Sequence, residues 1–247
     1  MDGRIQYPTG FCWDNIIAYG TTGVICLDEA SQTVVKFPHR DEDKPSTDVE
    51  RRIYEQFQEH GGHKNIVRYH GLHEHSIRLE YVPSFNFEAH LSTHKVDSEQ
   101  KLQWAQQIID ALCFVHSMHV IHGDLNIYNI LLDENLNAKL ADFAGSSLEG
   151  SPLLVGVTAS YRSPGDTLCI QGDIFAFGST LYKIITGYNP YHDLTEREIK
   201  ALFLKGSFPE TNSLGPLGEV ISKCWRGKYK NTHSVCKEIK GTHGFLI

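Results

Sequence analysis

Asn129 lies five residues beyond Asp124 in the stretch Val120-Ile121-His122-Gly123-Asp124-Leu125-Asn126-Ile127-Tyr128-Asn129-Ile130-Leu131-Leu132. A carboxylate and an amide at that separation on a loop suit a division of labour. Asp124 can orient an attacking hydroxyl and accept its proton, and the Asn129 amide oxygen can ligate a hard cation such as Mg²⁺. A second carboxylate for the same cation, Asp142, follows in Lys139-Leu140-Ala141-Asp142-Phe143-Ala144-Gly145. His70, His73 and His75 crowd one turn, where a solvated turn is the simpler reading than a metal site.

Several elements must position these groups. Ile130-Leu131-Leu132 reads as a strand leaving the Asp124 loop. A long helix opened by Asp97 or Ser98, with Leu102, Ala105, Ile109, Leu112 and His116 on one face, delivers the chain to that loop. Upstream, 16–25 reads as strand, glycine turn, strand, and alone is only a hairpin. Gln32 to Phe37 is a strand carrying Lys36, in isolation an ordinary edge lysine. Ser46-Thr47-Asp48 opens a helix with Val49, Ile53 and Phe57 on one stripe, and Thr47-x-x-Glu50 has the form of a capping box. Residues 77–83 form a strand running into a Pro-marked connection. Residues 172–187 are a helix with apolar residues at 174, 177, 181 and 184 and a glycine stop. Thr195-x-x-Glu198 caps a further helix, and 217–225 gives another ending in Cys224-Trp225.

Together these segments resemble the eukaryotic protein kinase family, from about Ile16 to about Ile239. His122-Gly123-Asp124 with Asn129 resembles its catalytic loop, and Asp142-Phe143-Ala144 its metal-binding Asp-Phe-Gly. His-Gly-Asp-Leu followed by Asn-Ile-Leu also resembles small-molecule phosphotransferases. Those lack the segment Thr158 to Gly165 and the helix Gly172 to Tyr191 that are matched here. The resemblance implies an α+β bilobal fold: a small antiparallel β-sheet N-lobe with one main helix over 1–82, and a larger, mainly helical C-lobe over 83–247. It implies that ATP and Mg²⁺ are used to phosphorylate Ser/Thr hydroxyls of a protein substrate. By the same resemblance Lys36, paired with Glu50, is expected to grip the α- and β-phosphates. Gly20 and Gly23 match the second and third glycines of the phosphate loop, with Ala18 at the first. The resemblance implies that Ile25, Val34 and Leu131 enclose adenine, that Leu79 guards the back pocket, and that the backbone of Glu80 and Val82 bonds the base. Thr158 resembles the threonine that Ser/Thr-directed members place beside the catalytic aspartate, and the Tyr-directed signature is absent.

Five positions depart from the family. Gly123 stands where an arginine usually clasps an activation-segment phosphate, so activity is expected to be independent of phosphorylation at Ser146, Ser151 or Thr158. Asn126 replaces a lysine at the γ-phosphate, at a cost of roughly 10²–10³ in rate. Ala144 replaces a glycine, and alanine disfavours positive φ, so the metal loop is expected to swing less freely. Gly165 and Thr232 together replace an ion pair, which leaves no charge unpaired. Asn126, Ala18 and Gly165 motivate a second reading, a pseudokinase that binds nucleotide or acts as a scaffold. A third, small-molecule phosphotransfer, rests on His-Gly-Asp-Leu alone.

The totals bound the rest. The net charge of −7 over 247 residues argues against broad nucleic-acid binding. Six scattered cysteines without a Cys-x-x-Cys pair indicate neither zinc ribbon nor disulfide framework, so a reducing compartment is expected. Residues 1–4 lack the pattern of a signal peptide, and no apolar run approaches the roughly 18 residues of a spanning helix. The expectation is a monomer in the cytoplasm, with the nucleus as second compartment and no membrane or nucleic-acid partner.

Overall fold

The computed structural model describes residues 6–83, 85–154 and 156–242. Residues 1–4, on which the signal-peptide reading rested, and the apolar tail 245–247 lie outside them. The N-terminal part is a five-stranded antiparallel sheet of β1 (Ile16–Tyr19), β2 (Gly23–Asp28), β3 (Thr33–Pro38), β4 (Tyr69–His73) and β5 (Ser76–Glu80) in the order β1-β2-β3-β5-β4. Successive side chains of a strand face opposite ways. On β3, Val35 and Phe37 bury with Val24 and Cys26 in a small outer cluster, while Val34 joins the main core. Lys36 therefore faces inward, on the side of Val34, and is only 7% exposed.

The helix packed on this sheet, α1 (Lys44–Glu59), starts two residues earlier than expected, with Pro45 in its first turn. Pro is tolerated there because its missing N–H needs no partner. Thr47 thus lies inside the helix, and the Thr47-x-x-Glu50 capping box does not form. Glu50, Ile53, Tyr54 and Phe57 recur at helical spacing and are all buried.

The remainder is mainly helical: α2 (Phe87–Thr93), α3 (Ser98–Ser117), α4 (Ile170–Thr186), α5 (Glu196–Leu204), α6 (Pro216–Trp225) and α7 (Thr232–Thr242). Asp97 caps α3 by accepting from Gln100 N at 2.8 Å, and Thr195 and Glu198 cap α5 reciprocally. Helix α4 is buried on nearly every face and stops at Gly187, φ 82°. Gly178 lets α6 approach, since a Cβ there would lie 2.8 Å from Cys224 Cβ. Short strands frame the loops of interest: β6 (Phe85–Asn86), β8 (Ile130–Leu132) and β9 (Ala138–Leu140) form one sheet, and β7 (Val120–Ile121) pairs with β10 (Ser147–Leu148). The fold is α+β and bilobal. No helix among the described residues is long and apolar enough to cross a membrane.

Candidate active site

Strand β3 and helix α1 bring Lys36 Nζ to 2.7 Å from Glu50 Oε2, and the same ammonium donates to Asp142 Oδ1 at 2.7 Å. Of the two roles open to Glu50, pairing with Lys36 is the one realised; its other oxygen accepts from Phe143 N at 3.1 Å. Burial works against the Lys36 ammonium, but the charges of Asp142 and Glu50 outweigh it and push its pKa up. Burial pushes the Glu50 carboxyl up against the pull of Lys36, while Lys36 holds Asp142 below its ordinary value.

The loop between β7 and β8 is held from beneath. Asp173, in the first turn of α4, is 1% exposed and accepts from His122 N at 2.9 Å and Gly123 N at 2.8 Å. It also meets His116 Nε2 at 2.7 Å. Burial alone would raise its pKa; the His116 hydrogen bond, the neighbouring imidazoles and the Gly123 amide hold it low. With the loop so fixed, Asn129 Nδ2 donates to the Asp124 carbonyl at 2.8 Å and to Asp124 Oδ2 at 3.0 Å. Ala141 N donates to the Asn129 carbonyl at 2.9 Å, setting Asp142 beside this loop. Asn126 spends its amide internally, donating to the Asp124 carbonyl and accepting from Tyr128 N, both at 2.9 Å.

Asn129 Oδ1 and Asp142 Oδ2 have no hydrogen-bond partner among the described residues, and the Asp142 side chain is 42% exposed. One amide and one carboxylate oxygen, with the rest of the sphere open, fit a Mg²⁺ that fills up with water and phosphate oxygens. No cluster of three His, Cys, Asp or Glu side chains among the described residues forms a self-contained metal cage, at His70, His73 and His75 or elsewhere.

Ala144 does not take the positive φ that alanine disfavours. The left-handed residue of this turn is Asp142, φ 62°, a residue type that tolerates the region through its short polar side chain. Ala144 is buried at ordinary φ. Phe143 is fully buried, its ring 5.3 Å from Tyr54, 5.2 Å from Phe57 and 5.0 Å from His122. This aromatic packing ties α1 to both loops.

On the nucleotide side, Val34 and Leu79 are opposite each other in the β3–β5 register, and Ala18 is opposite Ile25 in the hairpin. Gly20 N donates to Gly23 O at 2.8 Å, and the Gly20 carbonyl meets His39 Nε2 at 2.8 Å. Gly23 has a reason of its own to lack a side chain: a Cβ would lie 2.7 Å from the Phe37 carbonyl oxygen. Glu80 N donates to the Arg68 carbonyl, and the Glu80 side chain pairs with Lys139. Val82 has no backbone partner among the described residues. Leu131 lies half-buried on β8. Thr158 is exposed, and its hydroxyl makes no hydrogen bond to Asp124; its carbonyl accepts from Tyr161 N.

Gly123 takes φ +75°, and a Cβ there would sit 2.3 Å from Leu153 Cδ2. The position where an arginine was expected to be missing is thus occupied by an apolar side chain from the following segment. That segment is strapped down by the β7–β10 pairing, by Ser146 Oγ donating to the His122 carbonyl and by Leu154 N donating to Gly145 O. Ser146 is fully buried. Thr232, one half of the altered pair, meets His116 Nδ1 at 3.3 Å, while Gly165 is exposed. Sequence reasoning assigned no role to Asp173 or Leu153 and placed His116 only on the apolar face of its helix.

Burial pushes the Asp124 carboxyl above its ordinary value, helped by Asp142 and opposed by His122 and by the amides of Asn129 and Asn126. A base must be deprotonated to accept a proton. Turnover is therefore expected to fall on the acid side with a midpoint above the ordinary carboxylate value of about 4. A kcat profile flat down to about pH 4 would exclude Asp124 as the base.

Comparison with known proteins bears on this constellation. The protein kinase domain family matches residues 18–238. The chain is 30% identical over 197 residues to a probable LIM domain-containing serine/threonine-protein kinase of Dictyostelium discoideum, covering 72% of this chain and 30% of that protein. It is 28% identical over 184 residues to the megakaryocyte-associated tyrosine-protein kinase of Rattus norvegicus, covering 67% and 39%. It is 31% identical over 163 residues to mitogen-activated protein kinase kinase kinase 1 of Arabidopsis thaliana, covering 60% and 26%. The aligned part thus spans well under half the length of each of these relatives.

Proposed function

Because the chain belongs to the protein kinase family, we propose that it transfers the γ-phosphate of ATP to serine or threonine hydroxyls of a protein. The observation that carries this reading is the convergence of Lys36, Glu50 and Asp142 beside the bonded pair Asp124–Asn129. Lys36, kept charged by two carboxylates, holds the α- and β-phosphates. Asp124, fixed by Asn129, orients the substrate hydroxyl and accepts its proton. Asn129 Oδ1 and Asp142 Oδ2 would hold Mg²⁺, which would supply positive charge against the charge that develops on the phosphates. Ala18, Gly20, Gly23, Ile25, Val34, Leu131 and the backbone of Glu80 and Val82 receive the nucleotide, with the lobes meeting near residue 82. Thr158 lies on the substrate side. The same reading has the chain acting as a monomer in the cytoplasm.

The test is incubation with radiolabelled ATP, Mg²⁺ and a generic basic protein, followed by phosphoamino-acid analysis. Label in phosphoserine or phosphothreonine is expected. Label in phosphotyrosine overturns the specificity, and no label above the enzyme-free blank overturns the activity.

One observation favours a pseudokinase. Asn126 engages both ends of its amide within the loop and offers the γ-phosphate no charge. If transfer is merely slowed, Asn126→Lys should raise kcat by roughly 10²-fold. An unchanged kcat at saturating ATP would mean that another group already supplies that charge.

The apolar Gly123–Leu153 contact supports activity without activation-segment phosphate. Exhaustive treatment with a broad-specificity phosphatase is expected to leave kcat within about twofold. A fall of tenfold or more would show that a phosphate orders the segment after all.

A further inference from the structure

Helix α3 ends at Ser117 and runs into the turn Met118–His119. The carbonyls at such an end have no partner within the helix and must be met from outside it. Two donors from other parts of the molecule do so. Gln56 Nε2, on α1, donates to the Met118 carbonyl at 3.1 Å. Glu149 N, in the segment after Asp142, donates to the His119 carbonyl at 3.1 Å. His119 itself takes φ 54°, at the bend between the two acceptors.

Around the Gln56 bond the contact is aromatic. Phe57 packs 5.3 Å from Phe114, and His63 stacks on the same ring at 5.5 Å. Apolar packing is non-directional, so it holds α1 against α3 with little control over rotation. A hydrogen bond is directional and weakens steeply when misaligned. Gln56 therefore supplies what the rings do not. Glu50 lies six residues earlier on the same helix, about 9 Å along its axis. Its buried carboxylate reaches Lys36 Nζ at 2.7 Å, a fit that a roll of α1 would break.

We propose that Gln56 is a positioning residue: by bonding the end of α3 it sets the rotation of α1 and aims Glu50 at Lys36. The inference rests on the reading above, in which the Lys36 ammonium so held receives the phosphates of ATP. The Met118–His119 turn ties α1 and the segment after Asp142 to the same piece of backbone. Both ties are made by neutral amides, so the arrangement stands without phosphate on that segment.

Lysine reactivity reads that rotation. The full chain, Gln56→Ala and Gln56→Lys are treated with an amine-acylating reagent, and labelling at each lysine is followed by mass spectrometry. In the parent Lys36 should label slowly, being buried and paired with two carboxylates. Lys183 on α4, also buried and paired with Glu88, is the control for general loosening. Gln56→Ala should speed labelling of Lys36 about fivefold, the worth of one hydrogen bond, and leave Lys183 unchanged. Gln56→Lys keeps a donor, and a cation is favourable at a helix C-terminus, so Lys36 should return to the parent rate. Affinity for Mg·ATP, measured by calorimetry, should fall severalfold in Gln56→Ala. Equal labelling of Lys36 in the parent and Gln56→Ala overturns the proposal. So does a rise shared by Lys183, or a Gln56→Lys chain that behaves like Gln56→Ala. The function proposed above fails separately, through a parent that binds no Mg·ATP, and the labelling then still decides on Gln56.

Discussion

Asp124→Asn is expected to lower phosphoryl transfer by about 10²–10⁴, the usual worth of a positioned general base, while the protein melts at or above the parent temperature. The two halves of this result have one cause. Burial raises the Asp124 carboxyl above its ordinary value. For an acid, a raised value in the folded state means that the charged form is disfavoured there, so at neutral pH the ionised side chain works against folding. An amide of the same shape removes that charge. It also keeps the Asp124 carbonyl, which accepts from Asn126 and Asn129. The measurement is label transfer alongside a thermal melt. Transfer within tenfold of the parent would remove Asp124 from the chemistry, and a collapsed melt would make it a structural residue.

Asp173→Ala is expected to cost about 3–5 kcal/mol, because it strips a buried charge from its partners. The amides of His122 and Gly123 and the His116 ring would lose their acceptor inside the protein. For a chain of this length that corresponds to a fall in Tm of roughly 6–20 °C. Asp173→Asn retains one acceptor oxygen and should fall between the two. The pH dependence has a definite sign. The folded value of Asp173 lies below the ordinary one, so its stabilisation is fully present above the unfolded carboxylate value and fades as pH falls through the folded one. Denaturant melts at pH 7 and in mild acid test this. An alanine variant within about 1 kcal/mol of the parent would mean that the loop does not rest on this carboxylate.

Much of the site could be read from residue types and spacing. Lys36 stands in an otherwise apolar strand, and such a strand can place a cation inward only by alternation. Asp124 and Asn129 sit at a spacing that a single short turn closes into a hydrogen bond. The fold was legible chiefly through α4, whose apolar residues surround it and whose stop is a glycine. What escaped has a common physical character. Asp173 acts on backbone amides, which look alike in every residue, so nothing in the string marks its partners. The Gly123–Leu153 contact joins positions thirty apart with no charge or period to link them. The missing glycine at position 144 drew attention to Ala144, but the positive φ belongs to Asp142. Glu50 had two credible partners, and the choice fell to where α1 begins.

The left-handed backbone at Gly123 limits which side chains that position can take. An arginine introduced there would meet two obstacles at once: a dihedral that branched and bulky residues avoid, and the terminal methyls of Leu153. Building a phosphate clasp there therefore needs Leu153 to shrink or the turn to be rebuilt, and either change alone loosens the strap before the clasp exists. Switchable control at this loop thus takes two changes made together, not one.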